Sequence, residues 1–131
     1  MKNEELLKKR EDSALHDKSY KFALRIVKMC QFLIMQKKES VLSKQVLRSG
    51  TAIGALVRES EFAQSPSDFI NKLSISLKEA NETDYWIHLL YDSKYIDEQS
   101  FNSMTNDCGE LIALLVSSIN TKKKKLKIEI E

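Results

Sequence analysis

The sequence predicts an all-α fold, an antiparallel up-down-up-down four-helix bundle, and three observations predict it. One proline and three glycines stand in 131 residues, well below average usage, which favours long helices over strands and turns. Apolar residues recur at three- and four-residue steps in four separate stretches, the period of a helix with one buried face. The breaks between them are short and polar, so successive helices become antiparallel neighbours. A chain of this length fits one domain, which buries roughly two thirds of its unfolded surface without disulfides or metal. That domain is expected to span residues 1–121.

Helix one is expected from Leu15 to about Gln36, with Leu15, Phe22, Ile26, Cys30 and Leu33 on the core face and Ala23, Val27 and Ile34 widening it. The charged residues 1–12 either extend it by two turns or fray. Helix two follows the break "QKKES", with Ser40 as N-cap and Leu42, Val46, Ile53 and Val57 as its stripe to about Ala63. The start of helix three is the most strongly marked. Ser65 stands at the cap, Pro66 at the first helical position and Asp68 where it complements the dipole. Ile70, Leu73, Leu77, Ala80, Ile87 and Leu90 carry its core face to about Asp92. Asp97 caps helix four, with Ile96 and Phe101 placed as a hydrophobic staple. Phe101, Met104, Cys108, Leu111 and Leu115 continue to about Asn120, with Gly109 an interior cost of about 1 kcal/mol. Residues 122–131 read as a basic, disordered tail.

Composition narrows the function classes. Cys30 and Cys108 lack CxxC or zinc-ligand spacing and read as reduced, partly buried thiols of a cytoplasmic protein. The longest apolar run, "LIALLV", is too short to span a bilayer, and the charged N-terminus is no signal peptide. The net charge of +2 conceals an asymmetry: residues 1–64 carry +5, residues 65–120 carry −6 and residues 121–131 carry +3. This split suits contact between opposite halves of neighbouring copies, or a basic patch for an anionic partner.

Gly50 and Gly54 share one face of helix two and together cost about 2 kcal/mol in helix propensity. Close approach of another helix offsets that loss, and Tyr85, Trp86 and Leu89 of helix three are the candidates to fill the space. A second face of helix two carries Gln45, Arg48, Ala52, Ala55 and Glu59, with Arg58 nearby. Glu79, Glu82 and Trp86 form a matching line on helix three. Arginines facing carboxylates would form hydrogen-bonded pairs, within the chain or between copies.

At these positions the chain resembles a known family. "VLSKQVLRSGTAIGALVRES" followed by "DFINKLSISLKEANETDYWIHLL" is similar to the small four-helix-bundle proteins encoded in bacterial 23S rRNA intervening sequences, some of them labelled ribosomal proteins. The resemblance covers residues 13–121. Leu56 and Ser60 depart from the asparagine and alanine often found in the family. The resemblance implies a helical bundle assembling into a ring of five copies. It extends to the accessory protein of diversity-generating retroelements, which binds nucleic acid and a reverse transcriptase.

The reading that follows is a non-catalytic homo-oligomeric scaffold, with itself as partner and RNA or a ribonucleoprotein as a further one. Lys37, Lys38 and Lys44, with Lys122, Lys123, Lys124 and Lys125, are the candidate phosphate contacts. The residues expected to serve packing or assembly are Gln45, Arg48, Gly50, Gly54, Arg58, Glu59, Glu79, Glu82, Tyr85 and Trp86. The alternative is an interaction module for protein alone. A carboxylate metal enzyme is disfavoured. Glu79 and Glu82, with Asp84 and His88 one turn apart, have no second matching pair, His16 reads as a simple surface residue, and no cofactor or membrane contact is expected.

Overall fold

Each apolar stripe becomes one helix. The computed structural model describes residues 2–130, which form α1 (Lys2–Gln36), α2 (Val41–Glu61), α3 (Pro66–Asp92) and α4 (Glu98–Ile130). Every helix packs on its neighbours in sequence, and α4 closes on α1 along the sparsest of the four seams. Leu15, Phe22, Ile26 and Leu33 of α1 meet Val46 and Ile53 of α2, Leu73 and Ile87 of α3, and Leu111 and Leu115 of α4 in one core. Cys30 and Cys108 are buried free thiols, and burial pushes the Cys108 thiol up to about 12. No helix of the described residues is long and apolar enough to cross a membrane.

Helix ends follow local chemistry. At α3 the Ser65 hydroxyl accepts from the Asp68 N–H at 3.0 Å while the Asp68 carboxylate accepts from the Gln64 N–H at 3.2 Å, a reciprocal cap. Asp97 accepts from the Ser100 N–H at 2.8 Å at the start of α4. The cap of α2 differs from the expectation. Ser40 makes no side-chain capping bond. Instead the buried Glu39 carboxylate accepts from the N–H groups of Val41 (3.1 Å), Leu42 (3.0 Å) and Ser43 (2.8 Å). The reach of a glutamate from one residue further back satisfies three orphan donors where a serine would satisfy one.

At the N-terminal end the extension of helix one is the alternative that forms, while the C-terminal end departs from the sequence reading. Residues 2–12 are helical, and α4 runs through 122–130 instead of ending near Asn120 in a disordered tail. These lysines, leucine and glutamate are good helix formers with no glycine or proline among them. They also have a partner. Glu4, Glu5 and Glu11 of α1 share a groove with Lys124 and Lys125, and the Ser117 hydroxyl donates to Glu11 at 2.9 Å. Lys122 is half-buried with its ammonium 5.2 Å from the centre of the Phe69 ring.

Because Glu39 holds three amides, Glu39→Ala is expected to cost about 1–2 kcal/mol, read as a lower urea midpoint with unchanged slope. Ser40→Ala is expected to be neutral in the same measurement.

Candidate assembly and nucleic-acid surfaces

The glycine face of α2 meets α1, which corrects the expectation that helix three fills it. A Cβ at Gly50 would lie 2.8–3.0 Å from the Ile26 side chain, and one at Gly54 would lie 3.2 Å from the Ser19 carbonyl oxygen. The reason is angular. Ser49 and Ile53, one residue earlier and so 100° round the helix, face α3: Thr83 Oγ1 meets Ser49 Oγ, and the Ser76 hydroxyl donates to the Ile53 carbonyl, each at 2.9 Å. The glycines are thereby turned to α1. Tyr85 is exposed, and its ring stands edge-on to Trp86 with centroids 5.1 Å apart.

The expected ionic line forms between α2 and α3 within the chain. Arg48 donates to Glu79 at 2.7 Å and to Glu82, whose carboxylate also accepts from the Trp86 indole N–H at 3.1 Å. The indole bond and the guanidinium hold the Glu82 carboxyl below its ordinary range, and the Glu79 bond raises the Arg48 pKa. The Arg48 side chain is 52 % exposed but Glu79 only 13 %, so the network lies at the surface with one buried foot. Arg58 departs from that line and covers the Tyr20 ring of α1 at 5.3 Å. Glu59 approaches Lys72 at 3.9 Å, and Gln45 is exposed.

The candidate lysines are not brought together. Lys37, Lys38 and Lys44 lie at the α1–α2 end, whereas Lys122, Lys123, Lys124 and Lys125 lie at the other, roughly 40 Å along the axis at 1.5 Å per residue. His16 bonds to Glu61, and His88 lies 3.5 Å from Asp84. Among the described residues no cluster of three or more His, Cys, Asp or Glu side chains is arranged to hold a metal ion.

Sequence reasoning missed one surface. Tyr20 (52 %), Leu24 (48 %), Val27 (37 %) and Ile34 (48 %) are exposed along a single edge of α1. Val27 and Ile34 thus belong to a second apolar stripe, not to a widened core face. Apolar residues on two sides of one helix were the available signal.

A family model for the 23S rRNA-intervening sequence protein matches residues 11–117. The chain belongs to that family. A crystal structure at 1.70 Å of a protein of unknown function from the S23 ribosomal protein family of Bacteroides thetaiotaomicron VPI-5482 is 54 % identical to this family member. The match covers 84 % of this chain and 98 % of that one, with a TM-score of 0.83. No curated protein matches the chain.

Gly54→Leu must displace α1 backbone, and a loss of about 3 kcal/mol or more is expected. Gly109→Ala, where a Cβ meets nothing within 4 Å, is expected to gain about 0.5–1 kcal/mol. Thermal melts of the two variants check the contrast. Arg48→Ala is expected to cost about 1 kcal/mol or less, since half the side chain is solvent-screened. Because the Glu82 pKa is depressed in the fold, its contribution is present above the ordinary glutamate pKa and lost as pH falls through the folded value. The melting difference between wild type and Arg48→Ala should therefore be full at pH 7 and shrink below about pH 4.

Proposed function

We propose that this chain is a non-catalytic helical scaffold that associates with further copies of itself, in a ring of five as the family resemblance implies, and binds RNA or a ribonucleoprotein through its basic ends. The observation that carries the reading is the exposed stripe of Leu24, Val27 and Ile34, continued by Tyr20 beneath Arg58. Contiguous exposed apolar surface marks an association site. The charge split favours a head-to-tail contact: residues 1–64 carry +5 and residues 65–120 carry −6, so the α1–α2 side of one copy attracts the α3–α4 side of the next. A heterologous contact of that kind closes into a ring when its rotation allows. Lys37, Lys38 and Lys44 then supply phosphate contacts that carry no sequence information and weaken steeply with salt.

Light scattering on the purified protein is expected to give five times the 15.1 kDa of one chain, and Leu24→Glu with Val27→Glu is expected to give monomer with unchanged helical content. A wild-type chain that stays monomeric at high micromolar concentration would sink the assembly reading. RNA binding that is present at low salt, lost at high salt and lost on changing Lys37, Lys38 and Lys44 to Glu is expected in parallel.

A further inference from the structure

The two connections at the Lys37 end of the bundle build an aromatic cleft between lysines. Phe32, 43 % exposed, stands near the end of α1 with the Lys37 ammonium 5.9 Å from its ring centre. Across from it, the α3–α4 connection brings Tyr91, Tyr95 and Lys94. Tyr91 is fixed by stacking on Phe101, with centroids 4.3 Å apart and planes at 22°. Together these residues and Asp92 line a cleft of about 480 Å³, within the range of ligand sites. Phe32 is also a wall of a second cleft of the same size, which Arg25, Lys28 and Met29 line.

The backbone marks the same place. Lys38 (φ 55°) and Lys94 (φ 67°) are left-handed, and no other non-glycine residue is so among the described residues. At Lys94 the turn is a Schellman motif, with the Tyr95 N–H on the Leu90 carbonyl at 2.8 Å and the Lys94 N–H on Tyr91 at 2.9 Å. A glycine would adopt that conformation without the steric cost a lysine carries. Each connection at this end nonetheless places a cation there. Two carboxylates line the cleft beside the lysines: Asp97, which accepts from the Ser100 N–H, and Asp92, which is exposed.

A half-exposed ring flanked by lysines is the arrangement that takes a base by stacking and its phosphates by charge. We propose that this cleft binds an unpaired nucleotide of single-stranded RNA, its base stacked on Phe32 and its flanking phosphates on Lys37 and Lys94. The inference rests on the reading above that the basic ends take RNA, and adds that the RNA is single-stranded and held by its bases. A duplex keeps its bases stacked on each other and offers Phe32 none.

Fluorescence anisotropy of the full-length oligomer tests it with three labelled probes of equal length: oligouridine, the same backbone made abasic, and an RNA duplex. Oligouridine is expected to bind tightest, with the abasic strand weaker by roughly tenfold or more. Phe32→Ala is expected to lose a similar factor for oligouridine only, and Phe32→Tyr to restore it. Circular dichroism confirms that the variants fold, and the abasic probe reads stacking on the unaltered protein. If the abasic strand and Phe32→Ala bind like their parents while Lys37→Glu with Lys94→Glu abolishes binding, stacking is overturned and the general RNA reading survives. Tighter binding of duplex also overturns it, as does equal competition by oligoglutamate that ignores Phe32→Ala. Absence of salt-sensitive binding of any probe overturns both readings together.

Discussion

The bundle depends on how closely α2 lies against α1. Gly50 leaves room for the whole Ile26 side chain, and Gly54 lets α2 approach the Ser19 backbone directly. About 2 kcal/mol of helix propensity is forgone at these two positions, and the return is a fully buried Ile26 at the centre of the core. The adjoining face of α2 meets α3. Ser49 and the Ile53 carbonyl meet Thr83 and Ser76 by hydrogen bonds, so α2 is held on two flanks, by close contact to α1 and by polar bonds to α3.

The outer edge of α1 is bare beyond α2. The Arg58 guanidinium reaches over it at Tyr20. Leu24, Val27 and Ile34 stay in water. The bare edge of α1 thus lies beside the glycine contact that brings α2 close. Leu56 and Ser60 leave this arrangement intact, since Ser60 is buried with its hydroxyl donating to the Val57 carbonyl at 2.6 Å and Leu56 is half-buried.

Much of this was legible in the sequence, within the limits of periodicity. The three- and four-residue spacing selects most of the buried positions of all four helices, because a helix with one buried face has to repeat in that way, but it also drew Val27 and Ile34 into the core face, where they do not lie. Ser65 and Asp97 cap as expected, since their bonds are local. Of the two arginines expected to face carboxylates of α3, Arg48 meets Glu79 and Glu82 within the chain, because α2 and α3 are joined by a short connection and lie side by side, whereas Arg58 turns to Tyr20. Periodicity says which residues share a face but not which helix lies against it, so the glycines were assigned to α3 in place of α1. The end of α4 was hidden for a related reason: the segments of Glu11 and Ser117 meet only after the chain has gone up and down twice. Glu39 was passed over because a serine one residue later matched the usual capping pattern better than a glutamate does.

On the proposed reading, the distribution of lysines limits how RNA would be held. With Lys37, Lys38 and Lys94 at one end and Lys123 to Lys125 at the other, a single copy offers only a few cations to any short strand, and each exposed contact is weak in physiological salt. Copies arranged head to tail with parallel axes would repeat the Phe32 cleft on one rim of the ring, all facing the same way. A flexible strand bound at one cleft is then confined near the next, and a high effective concentration replaces tight individual binding. Weak, repeated base and phosphate contacts on a rigid rim favour long unpaired RNA over short fragments. On the proposed reading the bare edge of α1 and the cleft are connected: assembly through the first would multiply the second.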